Sequence, residues 1–320
     1  MNVLVTGGNG FVGRELVRRL LAAERVLPGQ PPLTRLTVLD MSVDGLPDDA
    51  RLQVVTGSIA DPSALEAALR DAPQLVFHLA SLPGGAAERN YELGLQVNLQ
   101  ATLALFERLR EQGNCPRLVF TSTIAVYGSP LPALVDDASP MRPGLSYGAH
   151  KLMGEILLND YSRRGWLDGC SVRLPGIVAR PPAPSGLLSA FMSDVFWKLA
   201  AGEPFACPVS AQAVAWWMSV GCCVDNLLHA ARLAPDLLQQ RREFTLPVLR
   251  LSMAQLVDGL AEVYGADRRA LVSYRPDQQL EAAFGCYPPL DARAAESIGF
   301  AHDGDIKRLI RNATAAGTTA

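Results

Sequence analysis

The feature that most constrains this chain stands at its start, where the apolar run Asn2-Val3-Leu4-Val5-Thr6 leads straight into Gly7-Gly8-Asn9-Gly10-Phe11-Val12-Gly13. A strand that enters a glycine loop and leaves as a helix opens a βαβ unit able to hold a dinucleotide. Gly7 permits the tight turn, and Gly10 lets a diphosphate approach the backbone. Gly13 lets the helix pack close to the strand, so that the N–H groups of its first turn, at Phe11 and Val12, point at the phosphates. The next strand, Leu36-Thr37-Val38-Leu39, ends in Asp40. A carboxylate there accepts both ribose hydroxyls of an adenosine and repels a 2′-phosphate. Met41 and Ser42 follow, with no arginine to hold such a phosphate. The cofactor read from these residues is NAD rather than NADP.

Apolar runs of strand length alternate with helical patterns through the first half. Strands are expected at 2–6, 35–40, 52–56, 74–79, 117–122 and 170–174, and helices at 11–23, 62–70, 86–112 and 146–164. Continuous apolar strands separated by helices imply an α/β fold, a doubly wound parallel (Rossmann) sheet with ligands beyond the carboxyl ends of its strands. After Arg173 the rhythm breaks at Pro175, Gly176, Pro181, Pro182 and Pro184. Helices are expected beyond it at 187–201, 223–233, 252–264 and 303–313, and the tail 315–320 is expected to fray. Residues 1–174 therefore read as the NAD-binding domain, with some later segments returning to it. Residues 175–320 read mainly as a smaller substrate-binding lobe that closes over the cofactor.

Composition narrows the partners. At 320 residues, with 49% apolar and 19% charged residues and a net charge of −3, the chain offers no electrostatic case for nucleic acid or an anionic membrane. Cys115, Cys170, Cys207, Cys222, Cys223 and Cys286 show neither Cys-x-x-Cys spacing nor a metal-ligand rhythm with the four histidines, so no metal is expected. They read as reduced thiols of a cytoplasmic protein. The chain enters a core strand at once, leaving no room for a signal peptide, and no apolar run approaches membrane-spanning length.

Chemistry enters with Tyr147-Gly148-Ala149-His150-Lys151, which opens a long helix. Residues four apart share a helix face, so an ammonium stands beside a phenol. That charge, with a nicotinamide cation nearby, is expected to lower the phenol's pKa and make it a general base. With 7 tyrosines and only Lys151, Lys198 and Lys307, about 0.07 such pairs arise by chance. Upstream, Thr121-Ser122-Thr123-Ile124-Ala125-Val126-Tyr127-Gly128 places hydroxyls at a strand's carboxyl end, where a cofactor's reactive ring must reach.

Together, Gly-x-x-Gly-x-x-Gly, the hydroxyl-rich strand end leading to Val-Tyr-Gly, and Tyr-x-x-x-Lys resemble the extended short-chain dehydrogenase/reductase superfamily over nearly the whole chain. The resemblance implies a catalytic set of Thr123, Tyr147 and Lys151, with Ser122 a weaker neighbour of Thr123. It implies that Lys151 also binds the nicotinamide ribose. Val97-Asn98-Leu99-Gln100-Ala101-Thr102 resembles the family's asparagine segment, which makes Asn98 a structural contact to the active-site strand and places it near the cofactor. His78-Leu79-Ala80-Ser81 resembles the segment lying along the cofactor. Thr56-Gly57-Ser58-Ile59-Ala60-Asp61 resembles the adenine-contacting segment, with Ser58 in place of the usual acid. Ser122, Tyr147, Pro175 and Ile177 complete the cofactor contacts implied.

Departures bear on substrate. Sugar-nucleotide epimerases and dehydratases of the superfamily carry an asparagine where this chain has Gly176, and an arginine where it has Ser219. The loss of two diphosphate grips argues against a nucleotide sugar. Arg173-Leu174-Pro175-Gly176 resembles the short-chain threonine dehydrogenases. The stretch Leu79 to Asn98, with Leu82-Pro83-Gly84-Gly85, together with Tyr147 to Glu155 and Ala215-Trp216-Trp217-Met218-Ser219, is similar to the D-erythronate dehydrogenases of bacterial tetronate breakdown. The expected reaction is NAD-dependent oxidation of a small hydroxy acid, with D-erythronate the best single choice. A nucleotide-sugar 4-epimerase, a threonine dehydrogenase and a non-catalytic dinucleotide sensor are the alternatives. Ser81, Thr123, Tyr147, Arg180 and Trp217 are the candidate substrate contacts. Arg180 reads equally as a carboxylate partner or a surface residue, Ser81 as a contact or a turn hydroxyl, and Trp216 and Trp217 as core or pocket wall. His150 reads as a helix-surface or interface residue. The resemblance also implies a homodimer through the helices near 87–112 and 146–164.

Overall fold

In a computed structural model, residues 1–182 and 188–315 are described. Pro184, residue 187 and the tail beyond residue 315 lie outside them. The elements run β1 (Asn2–Thr6), α1 (Phe11–Ala22), β2 (Arg35–Asp40), β3 (Leu52–Thr56), α2 (Pro62–Leu69), β4 (Leu75–His78), α3 (Gly84–Arg89), α4 (Tyr91–Leu95), α5 (Ala101–Gln112), β5 (Arg117–Thr123), α6 (Ser146–Arg163) and β6 (Asp168–Leu174). They continue with β7 (Gly176–Val178), α7 (Phe191–Ala201), β8 (Phe205–Cys207), β9 (Val214–Ser219), α8 (Val220–Arg232), β10 (Glu243–Thr245), β11 (Leu249–Ser252), α9 (Met253–Tyr264), β12 (Val272–Tyr274), α10 (Gln278–Phe284), α11 (Arg293–Ser297) and α12 (Ile306–Ala315).

One compact unit comprises Met1–Gly128, Met141–Arg173 and Val224–Thr245. Its seven-stranded parallel sheet has the order β10-β6-β5-β4-β1-β2-β3. From β1 the chain winds outward through β2 and β3, then returns to the other side of β1 with β4. That reversal opens a crevice at the carboxyl ends of β1 and β4, where such sheets bind their ligands. Every residue of β4 and β5 is buried, as strands covered by helices on both faces must be. Leu4, Val76, Leu118 and Phe120 meet Leu105, Phe106, Leu109 and Leu158 in one core layer. The doubly wound α/β reading holds.

In this unit two details differ from the periodicity. The helix expected over 86–112 is broken. Asn90 leaves helical geometry at φ −137° and ψ 85°, and its side chain accepts from Leu93 N–H to start α4. A widened π-helical turn, Gln96–Gln100, then separates α4 from α5. Asparagine competes for backbone donors in this way, which apolar spacing does not report. The second difference is β10, a three-residue strand that pairs Glu243 with Ser171 of β6 and is too short to announce itself.

The other unit comprises Ser129–Pro140, Leu174–Cys223 and Leu246–Ala320. A three-stranded sheet, β11-β9-β7, and the pair β12-β8 pack with α7, α9 and α12. Trp217 is 1% exposed and packs on Phe196, and its Nε1 donates to Leu251 O at 3.1 Å. It is a core residue and not the substrate contact expected, because its indole N–H already has a partner inside the unit. Trp216 is also core, donating to Pro288 O at 2.8 Å. α8 starts three residues earlier than periodicity placed it, because Ser219 Oγ accepts from Cys222 N–H at its first turn.

Candidate active site

The glycine loop is dictated by contact. Gly7 has φ +74°, and a Cβ there would stand 2.7 Å from Ala80 N. A Cβ on Gly13 would stand 2.1 Å from Gly7 O, and one on Gly8 2.7 Å from Val38 Cγ1. Gly8 is thus as constrained as its neighbours, which the motif did not flag. Gly10 differs. Its nearest neighbour to an added Cβ is Gly7 O at 3.3 Å, and it lies exposed at the N-terminus of α1, with no side chain capping the helix. Packing demands glycine less there than at Gly7, Gly8 or Gly13. With no side chain capping it, the first turn of α1 offers N–H donors such as that of Val12 to an anion.

Asp40 ends β2 and turns back to the loop, with Oδ2 accepting from Asn9 N–H at 2.8 Å. The nearby Arg14 guanidinium donates to the carbonyls of Asn9 (3.0 Å) and Asp44 (2.6 Å). After β3, Ser58 Oγ accepts from Ala60 N–H at 3.1 Å and Ile59 is buried in the core, so both side chains serve their own loop. A contact from Ile59 to adenine would come from its backbone.

After β4, Leu79 and Ala80 hang on Thr6, through its backbone carbonyl at 3.0 Å and its Oγ1 at 3.3 Å. Asn98 does not reach a cofactor with its amide as expected. It is 1% exposed, and its Oδ1 accepts from Leu82 N–H at 2.7 Å while its Nδ2 donates to Leu82 O at 3.0 Å. Both ends of the amide are occupied, and its structural partner is the loop after β4 rather than β5.

Tyr147 and Lys151 lie one turn apart on α6, which packs closely over the end of β5. A Cβ on Gly148 would stand 2.6 Å from Ala125 O. The half-buried Tyr147 phenol faces the hydroxyls of Thr123 and Ser81, bringing together three residues from β5, the loop after β4 and α6. Thr123 Oγ1 also accepts from Ala125 N–H at 3.1 Å, which orients it. Lys151 is 2% exposed, donates from Nζ to Thr121 O at 2.8 Å, and lies 4.7 Å from the Phe120 ring centre. Burial lowers its pKa to about 7, against an opposing pull from Glu155. The phenol moves the other way from expectation. Burial raises its pKa, and the Thr123 and Ser81 hydroxyls it faces only partly counter that.

Glu155, one turn beyond Lys151, forms a buried ion pair with Arg173 at 2.6 Å, and Arg173 also donates to the Tyr127 hydroxyl at 3.1 Å. Helical spacing from Lys151 was the available signal for Glu155, and nothing local pointed to its partner. Ser122 is 2% exposed, and its Oγ is without a hydrogen-bond partner, as is the buried Asn9 Oδ1. These orphaned atoms lie at the end of β5 and in the glycine loop, on the path expected for a dinucleotide. Orphaned buried acceptors and hydroxyls on that path, an uncapped helix start and a carboxylate at the end of β2 fit such a cofactor.

The remaining candidates belong to the second unit. Pro175 is buried, and Ile177 pairs with Met218 in β7. Arg180 is exposed, and its backbone joins Ser193 Oγ at 3.0 Å and Trp197 Nε1 at 2.7 Å. In the first unit, His150 is 3% exposed, so it is not a surface residue, and its ring stands 6.1 Å from that of Tyr91.

Similar proteins are found among both known sequences and solved structures. A family described as NAD dependent epimerase/dehydratase matches residues 3–235. The D-erythronate dehydrogenase of Cupriavidus necator is 40% identical over 314 residues, 97% of each chain. That of Haemophilus influenzae is 30% identical over 313 residues, 97% of this chain and 98% of its own. Among solved structures, a nucleoside-diphosphate-sugar epimerase from Agrobacterium tumefaciens superposes with a TM-score of 0.89 at 31% identity, over 97% of this chain and 92% of that one.

Proposed function

The chain belongs to the NAD dependent epimerase/dehydratase family, and from that premise we propose that it oxidises a small polyhydroxylated 2-hydroxy acid with NAD, D-erythronate to its 2-oxo acid being the preferred reaction. The observation that carries this reading is the Tyr147 phenol facing the Thr123 and Ser81 hydroxyls at the crevice of the sheet, with Lys151 one turn on. Similarity to two D-erythronate dehydrogenases over nearly the full chain supports the substrate.

A dinucleotide bound along Gly7, Gly10, Gly13 and Asp40 supplies the hydride acceptor. The protein's own residues handle the alcohol and its proton. Thr123 Oγ1, already accepting from Ala125 N–H, keeps one hydrogen to donate and so orients the substrate oxygen. Tyr147 takes the hydroxyl proton as general base. Because burial holds the phenol's pKa up, its deprotonation with substrate in place leans on the groups left to favour the phenolate, the Ser81 hydroxyl and the charge of Lys151. Ser81 also stands where it can bind the substrate. Asp40 supports NAD over NADP, since its carboxylate repels a 2′-phosphate and Arg14 is already bound to backbone carbonyls.

Similarity to a nucleoside-diphosphate-sugar epimerase favours a second reading. Against it stand the two departures. Gly176 has Met192 Cε 3.0 Å from where a Cβ would be, and Ser219 is fully buried with its Oγ 2.5 Å from Asp303 Oδ1. Neither position presents a side chain that grips a diphosphate. A threonine dehydrogenase remains the nearest alternative of the same chemistry. We further propose a homodimer, supported by the exposed apolar residues Tyr91, Leu103, Met153 and Ile156 on α4, α5 and α6. Six cysteines outside any disulfide favour the cytoplasm.

The test is to incubate the protein with NAD and, separately, D-erythronate, L-threonine or UDP-galactose. NADH absorbance is expected to rise with D-erythronate. Formation of UDP-glucose without net NADH would overturn the proposal in favour of an epimerase.

A further inference from the structure

His78 ends β4 with no exposure, and the chemistry above does not use it. Its imidazole is engaged at both nitrogens: Nδ1 lies 2.7 Å from Thr6 Oγ1, and Nε2 lies 2.9 Å from Thr102 Oγ1. Counting hydrogens settles the direction. Thr102 spends its one hydroxyl hydrogen on Asn98 O at 2.9 Å, so toward the ring it can only accept. Nε2 therefore carries the hydrogen, and Nδ1 accepts from the Thr6 hydroxyl. Thr6 Oγ1 in turn accepts from Ala80 N–H at 3.3 Å.

The result is a directed chain: Ala80 N–H to Thr6, Thr6 to His78, His78 to Thr102, and Thr102 to the Asn98 backbone. The Asn98 side chain then grips both the N–H and the carbonyl of Leu82. Both ends of the chain thus fall on the segment 79–82, with Ser81 between them. A second hydrogen on the ring would leave the Thr6 hydroxyl hydrogen without an acceptor. Burial and the nearby Lys151 charge also hold the imidazole neutral. The ring stacks on Phe120 at 5.5 Å, and Lys151 Nζ lies over that same Phe120. The His78 carbonyl accepts from Thr121 Oγ1 at 3.1 Å, and Thr121 O is the acceptor for Lys151. His78 stands at a node between the glycine turn and both functional side chains of α6.

We propose that His78 is a positioning residue: as a neutral Nε2–H imidazole it works with Thr6, Thr102 and Asn98 to pin the segment 79–82 at both ends, and so sets Ser81 against the Tyr147 phenol. The kinetic consequence rests on the proposed dehydrogenase activity, and the tautomer does not. Such a shell of groups behind a reactive one is costly to disturb, because small misplacements are amplified in the rate.

Thr102→Val keeps the shape of the side chain but removes the acceptor for Nε2–H, and Thr102→Ser restores it. For oxidation of the hydroxy acid, Thr102→Val is expected to lower kcat by about 10- to 100-fold with KM for NAD shifted less than about threefold, while Thr102→Ser stays within about twofold of wild type. Wild-type kcat in Thr102→Val, or equal impairment in Thr102→Ser, would overturn the proposal. Nitrogen-15 NMR of the wild-type imidazoles gives a second test that requires neither folding of a variant nor turnover. His78 should show the Nε2–H tautomer with no titration between about pH 5 and pH 9. An Nδ1–H tautomer, or titration in that range, would refute the assignment. A protein that oxidises no hydroxy acid yet shows this tautomer would sink the proposed function and leave His78 in its place.

Discussion

Lys151 directs its Nζ at the carbonyl oxygen of Thr121, 2.8 Å away on the strand that also carries Thr123. The lysine thereby ties α6 to the end of β5, with its Nζ over the Phe120 ring and almost none of the side chain in water. The bond holds the ammonium out of water, and that desolvation is why its pKa falls to about 7.

That depression makes stability depend on pH with a definite sign. Between about pH 7 and pH 10.4 the unfolded lysine holds a proton that the folded one has released, so stability rises with pH across that window. The rise is at most about 1.4 kcal/mol per pH unit from this group, and below pH 7 the full penalty applies. Lys151→Met should remove it. Urea unfolding at several pH values should show the variant more stable than wild type near neutrality, with the difference shrinking toward alkaline pH. Parallel stability curves would count against a desolvated lysine.

Tyr147→Phe keeps the ring and removes the base. Turnover is expected to fall by about 100- to 10,000-fold while dinucleotide affinity, followed by fluorescence titration, stays near wild type. A variant with near-normal turnover would eliminate Tyr147 as the proton acceptor.

Glycine positions in the first loop should separate fold from binding. Gly13→Ala puts a methyl group 2.1 Å from Gly7 O and should lower thermal stability sharply, by more than about 2 kcal/mol. Gly10→Ala meets only Gly7 O at 3.3 Å, so its melting temperature should stay close to wild type while dinucleotide binding weakens. Equal losses of stability in both would mean that Gly10 is a packing residue.

Glu155 and Arg173 form the buried ion pair behind the helix that carries Lys151. Glu155→Gln leaves the Arg173 guanidinium without its counter-charge and should cost about 3 kcal/mol in a denaturant titration, whereas replacing both residues by apolar ones should be close to neutral. The single variant should also drive the Lys151 pKa below its present value, because the Glu155 charge opposes the effect of burial there. If the double replacement is as damaging as the single one, the pair does more than neutralise itself.

Much of the site was legible because its logic is local. A strand, a loop of glycines and a helix start are contiguous, so Gly7, Gly10 and Gly13 declare themselves by spacing. Tyr147 and Lys151 share a helix face by the same arithmetic. Other features were silent because they arise between residues far apart in the chain. Asn98 reads as a cofactor neighbour until Leu82 is seen to occupy both ends of its amide. Trp217 reads as a pocket wall until Phe196 and Leu251 close around it.

The amino-acid sequence by itself determined the strand–loop–helix start, the parallel alternation and the placing of Tyr147 and Lys151 on one helix face, since these depend on residues within a few positions of one another. Tertiary structure alone decided which atoms those side chains meet: Lys151 on Thr121, the Tyr147 phenol on Thr123 and Ser81, His78 between Thr6 and Thr102. It also reversed the expected direction of the phenol's pKa. The physical reason is that local geometry sets which way a residue faces, whereas the water it loses and the partners it gains come from segments the chain brings back from far away.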